Sequence, residues 1–244
     1  MSAIVLIPAR LAATRLPGKP LAEIGGVPMI VRVWRQAVAA GVGPVAVAAG
    51  DAEIVRAVEA GGGRAVLTDP ALPSGSDRIL AALAELDPRG EYEAVINLQG
   101  DMPFVEPAIV GACARLLAET PCDIATLVAP EASPADRTNP DVVKAVLAMR
   151  DARRGQALYF TRSTLYGDQP VWRHIGVYGY RLEALKRFNA AAPSPLEQRE
   201  KLEQLRAMEL GLSIWAEVAE AAPISVDTPA DLAQARAHAE TTGR

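Results

Sequence analysis

The chain has 244 residues, half of them hydrophobic, enough for a sizeable core; residues 1–244 read as a single α/β domain. With 25 basic against 29 acidic residues and a net charge near −4, it has no general attraction for nucleic acid or anionic membrane. Its 5 % aromatic content also argues against a nucleic-acid module. Two cysteines, Cys113 and Cys122, without a CxxC pair or neighbouring histidine, support neither a disulfide framework nor a zinc site.

The first apolar run, "AIVLIP", reads as a buried strand and is too short for a signal-peptide core. No run of about 18 apolar residues follows, so no membrane span and a cytoplasmic protein are expected. Ile30, Val33, Trp34, Ala37 and Val38 then recur at helical spacing, with Pro28 near the helix start. "PVAVAA" and "DAEIVRAVEAGGG" repeat the strand–helix unit, with Asp51 as N-cap and the glycines as a stop. "RAVLT" is a strand, "SGSDRILAALAEL" a helix capped by Ser74 or Ser76, "EAVINLQGD" a strand and "EPAIVGACARLLAE" a helix. Such alternation implies right-handed crossovers and a mostly parallel sheet with helices on both faces.

The second half is less regular. "DIATLVA", "VVKAVLAM", "ALYFTR" and "HIGVYGYR" are strand-like without long helices between them, and "PEASPADRTNP" at 130–140 is a loop. One long helix, "SPLEQREKLEQLRAMELG", a strand, "LSIWAEVAE", and a closing helix, "TPADLAQARAHAE", complete the chain. The fold class expected is α/β, with a mostly parallel mixed sheet and an antiparallel excursion.

Ligands of open α/β sheets bind beyond the carboxyl ends of the strands. The loop after the first strand occupies that place and holds Arg10, Arg15 and Lys19 with almost no acid nearby. Fixed cations beside helix N-termini suit a polyphosphate. The loop is not a Walker A motif, because Ala13 and Pro20 stand where Gly and Ser or Thr are required, and the dinucleotide fingerprint is absent. Asp101 in "INLQGDMPFVEP" lies on the same rim, and Asp227 in "PISVDTPADL" precedes the closing helix. Magnesium takes one or two protein carboxylates and fills its octahedron with water and phosphate. The residues alone leave both aspartates open to simpler roles as turn formers or caps.

Six ordered motifs, "IPARLAATRLPGKPLAEIGGVPMI", "PSGSDR", "LQGDMP", "HIGVYGYR", "PSPLEQREKLEQLR" and "VDTPADL", cover essentially the whole chain. Together they resemble the bacterial 3-deoxy-D-manno-octulosonate (KDO) cytidylyltransferases, or CMP-KDO synthetases. The resemblance implies a nucleotide-diphospho-sugar-transferase-like fold with a smaller antiparallel region for the sugar site and dimer contact. It also implies CTP and KDO as substrates, Mg²⁺ as cofactor, a homodimer, and CMP-KDO and pyrophosphate as products for lipopolysaccharide synthesis.

By the same resemblance Arg10, Arg15 and Lys19 grip the triphosphate, with Ser74, Gly75, Arg78 and Gln99 completing the CTP site. Asp101 and Asp227 hold magnesium, and Lys19, Arg10, Asp101 and Asp227 form the catalytic group. Gln99, Arg162, His174, Tyr178, Glu203 and Gln204 correspond to the KDO set, with Arg162 on the sugar carboxylate, which a planar guanidinium matches bidentately. Departures from the family pattern are Ala13 for Ser, Met102 for Glu and Ser225 for Gly; none removes a metal ligand or phosphate cation. Rival readings are a cytidylyltransferase for sialic acid or 8-amino-KDO, and a non-catalytic nucleotide-binding paralogue.

Overall fold

The computed structural model describes residues 1–12 and 15–243. They form two compact units, one of residues 1–111 with 223 onward, the other Ala112–Ala222. Among the described residues no helix is long and apolar enough to cross a membrane.

In the first unit β1 (Ala3–Ala9) is buried along almost its whole length, as a run of apolar residues covered on both faces must be. β2 (Glu23–Ile24) and β3 (Val27–Pro28) follow as a small hairpin. Its turn is Gly25-Gly26, both with positive φ (56° and 72°), the backbone that a two-residue turn of matching twist requires. This hairpin is absent from the sequence reading, although Gly-Gly between apolar residues is its signal. α1 (Met29–Ala39) buries Met29, Ile30, Val33 and Ala37. Val38, expected on that stripe, is exposed, because the helix ends one residue later.

β4 (Val45–Ala49), α2 (Ala52–Ala60), β5 (Ala65–Leu67), α3 (Gly75–Leu86) and β6 (Ala94–Leu98) complete the strand–helix alternation. The strands lie in the order β5-β4-β1-β6, every neighbour parallel. Parallel pairing puts the carboxyl ends of β1 and β6 on one rim, which brings the loop after Ala9 to the Gln99–Asp101 turn. α4 (Pro107–Glu119) then carries the chain into the second unit.

That unit is built from β7 (Ile124–Pro130), β8 (Lys144–Met149), β9 (Arg154–Thr161) and β10 (Trp172–Arg181). α5 (Leu182–Ala190), α6 (Pro195–Glu200), α7 (Gln204–Glu209) and β11 (Ile214–Val218) follow. The order is β10-β7-β11-β9-β8, with only the β11–β7 pair parallel. The first two residues of β10 also pair with β8, so this sheet curls back on itself. The expected antiparallel excursion is therefore present. The 130–140 loop holds a short 3-10 turn, Pro134–Arg137.

Two features differ from the sequence reading. α5 follows β10 directly where no helix is expected, and the long helix of 194–211 is two short ones. The break falls at Lys201, whose φ of 58° is left-handed. α6 buries none of its residues, whereas Gln204, Leu205, Arg206 and Ala207 in α7 are all buried. One straight helix has a single apolar stripe and cannot satisfy both patterns.

A bidentate pair from Arg206 to Glu197, at 2.6 and 2.7 Å, staples the two helices together. The guanidinium lies 4.5 Å from the centroid of the Phe188 ring. Returning to the first unit, α8 (Pro229–Thr242) starts from a reciprocal capping box between Thr228 and Asp231. It packs Leu232, Ala235 and Ala239 onto Ile24, Met29 and Val226.

Removing one member of a buried ion pair strands the other, at a cost of about 3–5 kcal/mol. Arg206→Met is expected to lower stability by about that amount in urea unfolding. A loss below about 1 kcal/mol would show that Glu197 finds water and that the staple is dispensable.

Candidate functional site

A cavity of about 350 Å³ opens in the first unit at the carboxyl rim of β1 and β6. Arg10, Arg15, Lys19, Ser74, Gly75, Arg78, Gln99, Asp101 and Asp227 all line it. These are the expected triphosphate, nucleotide and metal residues of this unit, brought together. Ala13 lies outside the described residues.

Lys19 begins a 3-10 turn, and the preceding Gly18 has a φ of 71°. A side chain there would be strained, so glycine lets the loop turn sharply enough to aim Lys19 inward. The Lys19 ammonium donates to Asp101 Oδ2 at 3.2 Å and to Asp227 Oδ1 at 3.1 Å. Arg15 reaches the other oxygen of Asp227 at 3.3 Å. Burial works against the ammonium, but the two carboxylates outweigh it and hold its pKa above the ordinary value. Burial, reinforced by Asp227, lifts the Asp101 carboxyl above its usual range despite Lys19. Two acids drawn to one cation make a locus that a divalent ion fits. Among the described residues no group of three or more acidic, histidine or cysteine side chains forms a metal cage. A metal there needs oxygens from elsewhere, which phosphates and water provide.

Each aspartate is fixed by its backbone. Asp101 O accepts from Val226 N at 2.9 Å, joining the turn after β6 to the segment before α8. Asp227 N donates to Asp231 Oδ2 at 3.0 Å, so the capping box of α8 also sets this carboxylate. The S/T-x-x-D pattern that signals the box is legible as "TPAD"; its hold on Asp227 is not.

Ser74 is the N-cap of α3, accepting from Asp77 N at 3.1 Å, as expected. Arg78, one turn into α3, is almost wholly buried. Its Nη1 donates to Thr68 Oγ1 at 2.7 Å and to Asp69 O at 3.1 Å. Nη2 has no partner among the described residues. Burial first, then the charge of Arg10, lowers the pKa of this guanidinium. Among the described residues the Gln99 side chain makes only a long contact, Nε2 to Asn97 Oδ1 at 3.4 Å, leaving its amide available to the cavity it lines. Asp51 is a residue whose role sequence reasoning missed. It stands at the N-cap of α2 but makes no cap bond. Its carboxylate instead accepts from Leu11 N at 2.7 Å and pins the start of the basic loop.

The second unit holds Arg162, His174, Tyr178, Glu203 and Gln204. The His174 ring lies 5.2 Å from both Phe160 and Tyr178. The Thr126 hydroxyl lies 2.8 Å from Val177 O, 3.3 Å from Ile175 O and 3.0 Å from His174 Nε2. Thr126, another residue the sequence did not single out, thus holds the imidazole in place. Burial pushes the imidazole pKa down to about 4 and that of Tyr178 upward, so both are neutral near pH 7. The charge of Glu203 reaches Tyr178, which joins three of the set. Gln204 is buried in α7. Arg162, just past β9, instead has Nη1 on Pro140 O at 3.0 Å.

Comparison with known proteins bears on this geometry. A family model described as cytidylyltransferase matches residues 4–214. The 3-deoxy-manno-octulosonate cytidylyltransferase of Parvibaculum lavamentivorans is 55 % identical over 96 % of this chain and 91 % of its own. That of Rhodospirillum rubrum is 52 % identical over 96 % and 94 %. The chain belongs to the 3-deoxy-manno-octulosonate cytidylyltransferase family. Among solved structures, a CMP:2-keto-3-deoxy-manno-octonic acid synthetase complexed with CTP is 37 % identical with a TM-score of 0.90, covering 99 % of this chain and all of the other. A UDP-glucose pyrophosphorylase complexed with UDP-glucose, at 14 % identity and a TM-score of 0.70 with full coverage of both chains, shares the mixed α/β nucleotidyltransferase fold alone.

The chain has two histidines, so a proton NMR titration can follow His174 directly. It is expected to stay neutral until about pH 4. Its folded pKa lies below the unfolded value near 6.5. The unfolded state therefore binds the proton first, and stability falls as pH drops from about 6.5 towards 4. His174→Gln should flatten that part of the stability curve; a His174 midpoint near 6.5 would contradict the buried neutral ring.

Proposed function

We propose that this chain transfers CMP from CTP to the anomeric 2-hydroxyl of KDO, releasing pyrophosphate and supplying CMP-KDO for lipopolysaccharide synthesis. The observation that carries the reading is Lys19 held between Asp101 and Asp227 on a cavity also lined by Arg10 and Arg15. Family membership gives that arrangement a substrate.

Arg10, Arg15 and Lys19 bind the triphosphate, and Lys19 exchanges its two carboxylates for phosphate oxygens as it does so. Ser74, Gly75, Arg78 and Gln99 line the part of the cavity assigned to the nucleoside. Asp101 and Asp227 would hold magnesium. When bound, that ion withdraws charge from the phosphate oxygens and makes the sugar hydroxyl more acidic. The hydroxyl oxygen bonds to the α-phosphorus, the bond from that phosphorus to the departing pyrophosphate breaks, and the hydroxyl proton passes to water. The basic loop steadies the charge that builds on pyrophosphate; no covalent protein intermediate is required. On the sugar side Arg162 takes the carboxylate, while Gln99, His174, Tyr178, Glu203 and Gln204 take hydroxyls. The neutral imidazole of His174 suits a sugar hydroxyl. Homodimeric assembly and a cytoplasmic setting complete the proposal, supported by family likeness.

Pyrophosphate release from CTP and Mg²⁺ is expected with KDO and is expected to stop with EDTA; sialic acid and 8-amino-KDO run in parallel. Release with a different sugar acid alone would move the substrate, and silence with every acid despite CTP binding would overturn the chemistry. Asp101→Asn and Asp227→Asn are each expected to lower kcat by about a hundredfold or more, with unchanged circular dichroism. Near-normal turnover in both would remove the metal assignment.

A further inference from the structure

Lys144 opens β8 and is fully buried. Across the curled sheet it stands opposite Thr161 of β9 and Arg173 of β10. Its ammonium donates to Asn139 O at 2.9 Å and to Arg162 O at 2.8 Å. It forms no ion pair among the described residues. Asp136, the nearby acid, lies 3.4 Å from Arg173 Nη1 and accepts from Ala132 N at 2.8 Å. The Arg162 guanidinium forms no ion pair among the described residues and donates through Nη1 to Pro140 O, while the Arg162 backbone N–H bonds to Glu200, which also accepts from Thr161 Oγ1 at 3.2 Å.

Two bonds from Lys144 and one from Arg162 therefore tie the end of β9 to residues 139 and 140. Buried charge without a counter-ion is costly, and a second cation beside it adds to the cost. Burial first, then the charge of Arg162, lowers the Lys144 pKa, with Asp136 opposing. A methionine of similar length would fill the same space without that penalty, so packing alone does not account for a lysine.

We infer that Lys144 is a positioning residue for sugar-acid recognition: it fixes Arg162 through the Arg162 carbonyl, so that the guanidinium is held ready for the substrate carboxylate. This rests on the reading that Arg162 meets that carboxylate.

The test is steady-state kinetics with KDO and CTP varied separately in Lys144→Met, Arg162→Met and the double variant. Lys144→Met is expected to raise the KM for KDO about tenfold, the usual scale for losing a bond to a charged group. The KM for CTP and kcat should stay within about twofold. In the Arg162→Met background the same change should add less than about twofold, because the residue it positions is gone.

A tenfold effect that persists in that background, or a parallel rise in the KM for CTP, would overturn the inference in favour of a general structural role. If Arg162→Met raises the KM for KDO and Lys144→Met does not, the inference fails while the reading of Arg162 stands. If Arg162→Met itself leaves that KM unchanged, both fail. Should Lys144→Met not yield folded protein, Lys144→Gln, which keeps a donor and loses the charge, serves in its place under the same outcomes.

Discussion

One ammonium group, that of Lys19, is shared by two carboxylates that lie 82 and 208 residues away along the chain. The first unit is organised so that this contact can form. Parallel pairing of β1 with β6 brings the basic loop to the Asp101 turn. The apolar contact of α8 with Ile24 and Met29 returns the C-terminal segment to the same rim with Asp227. Backbone bonds at Val226 and Asp231 then fix each carboxylate locally. A mixed-charge triad of this kind, partly withdrawn from water, holds together only while its charges balance.

In the proposed reaction that balance would link two binding events. A divalent ion taken up by both aspartates must displace the ammonium, and a polyphosphate that claims the ammonium frees the aspartates. Each ligand lowers the cost of binding the other, and the coupling is reciprocal. The same cation keeps two like charges tolerable in the free protein and, in the proposed reaction, would be the one that turns to phosphate.

The parallel half of the fold was legible because its signals are redundant. β1 is a continuous apolar run, α3 carries its cap at Ser74, and strand–helix alternation admits few topologies. The residues that line the cavity of the first unit were legible for a related reason: the carboxyl rim of a parallel sheet is a known address, and the basic loop and Asp101 both follow strands. In the second unit the signals compete. The charged stretch around Lys201 looks like one helix because most of its residues favour helix; the burial of α7 on nearly all sides, a tertiary fact, breaks it. Asp51 looked like a cap because caps are usual for aspartate in that place, and only the folded loop shows Leu11 as its partner. Thr126 gave no signal at all, since its effect on His174 depends on a pairing between β7 and β10. The sugar set rests on family likeness more than on geometry, with Arg162 not drawn into contact with the His174 group.

The Arg78 nitrogen left without a partner among the described residues would give the cavity, on the proposed reading, a way to discriminate by omission. Its desolvation is already part of the free energy of the folded chain, at about 1–3 kcal/mol for an unsatisfied buried donor and more for a charged one. A ligand that brings an acceptor to Nη2 recovers that energy; a ligand of equal size and charge without one does not. Selection of this kind needs no clash with the wrong molecule, only the failure of that molecule to complete a bond that the folded chain leaves unmade.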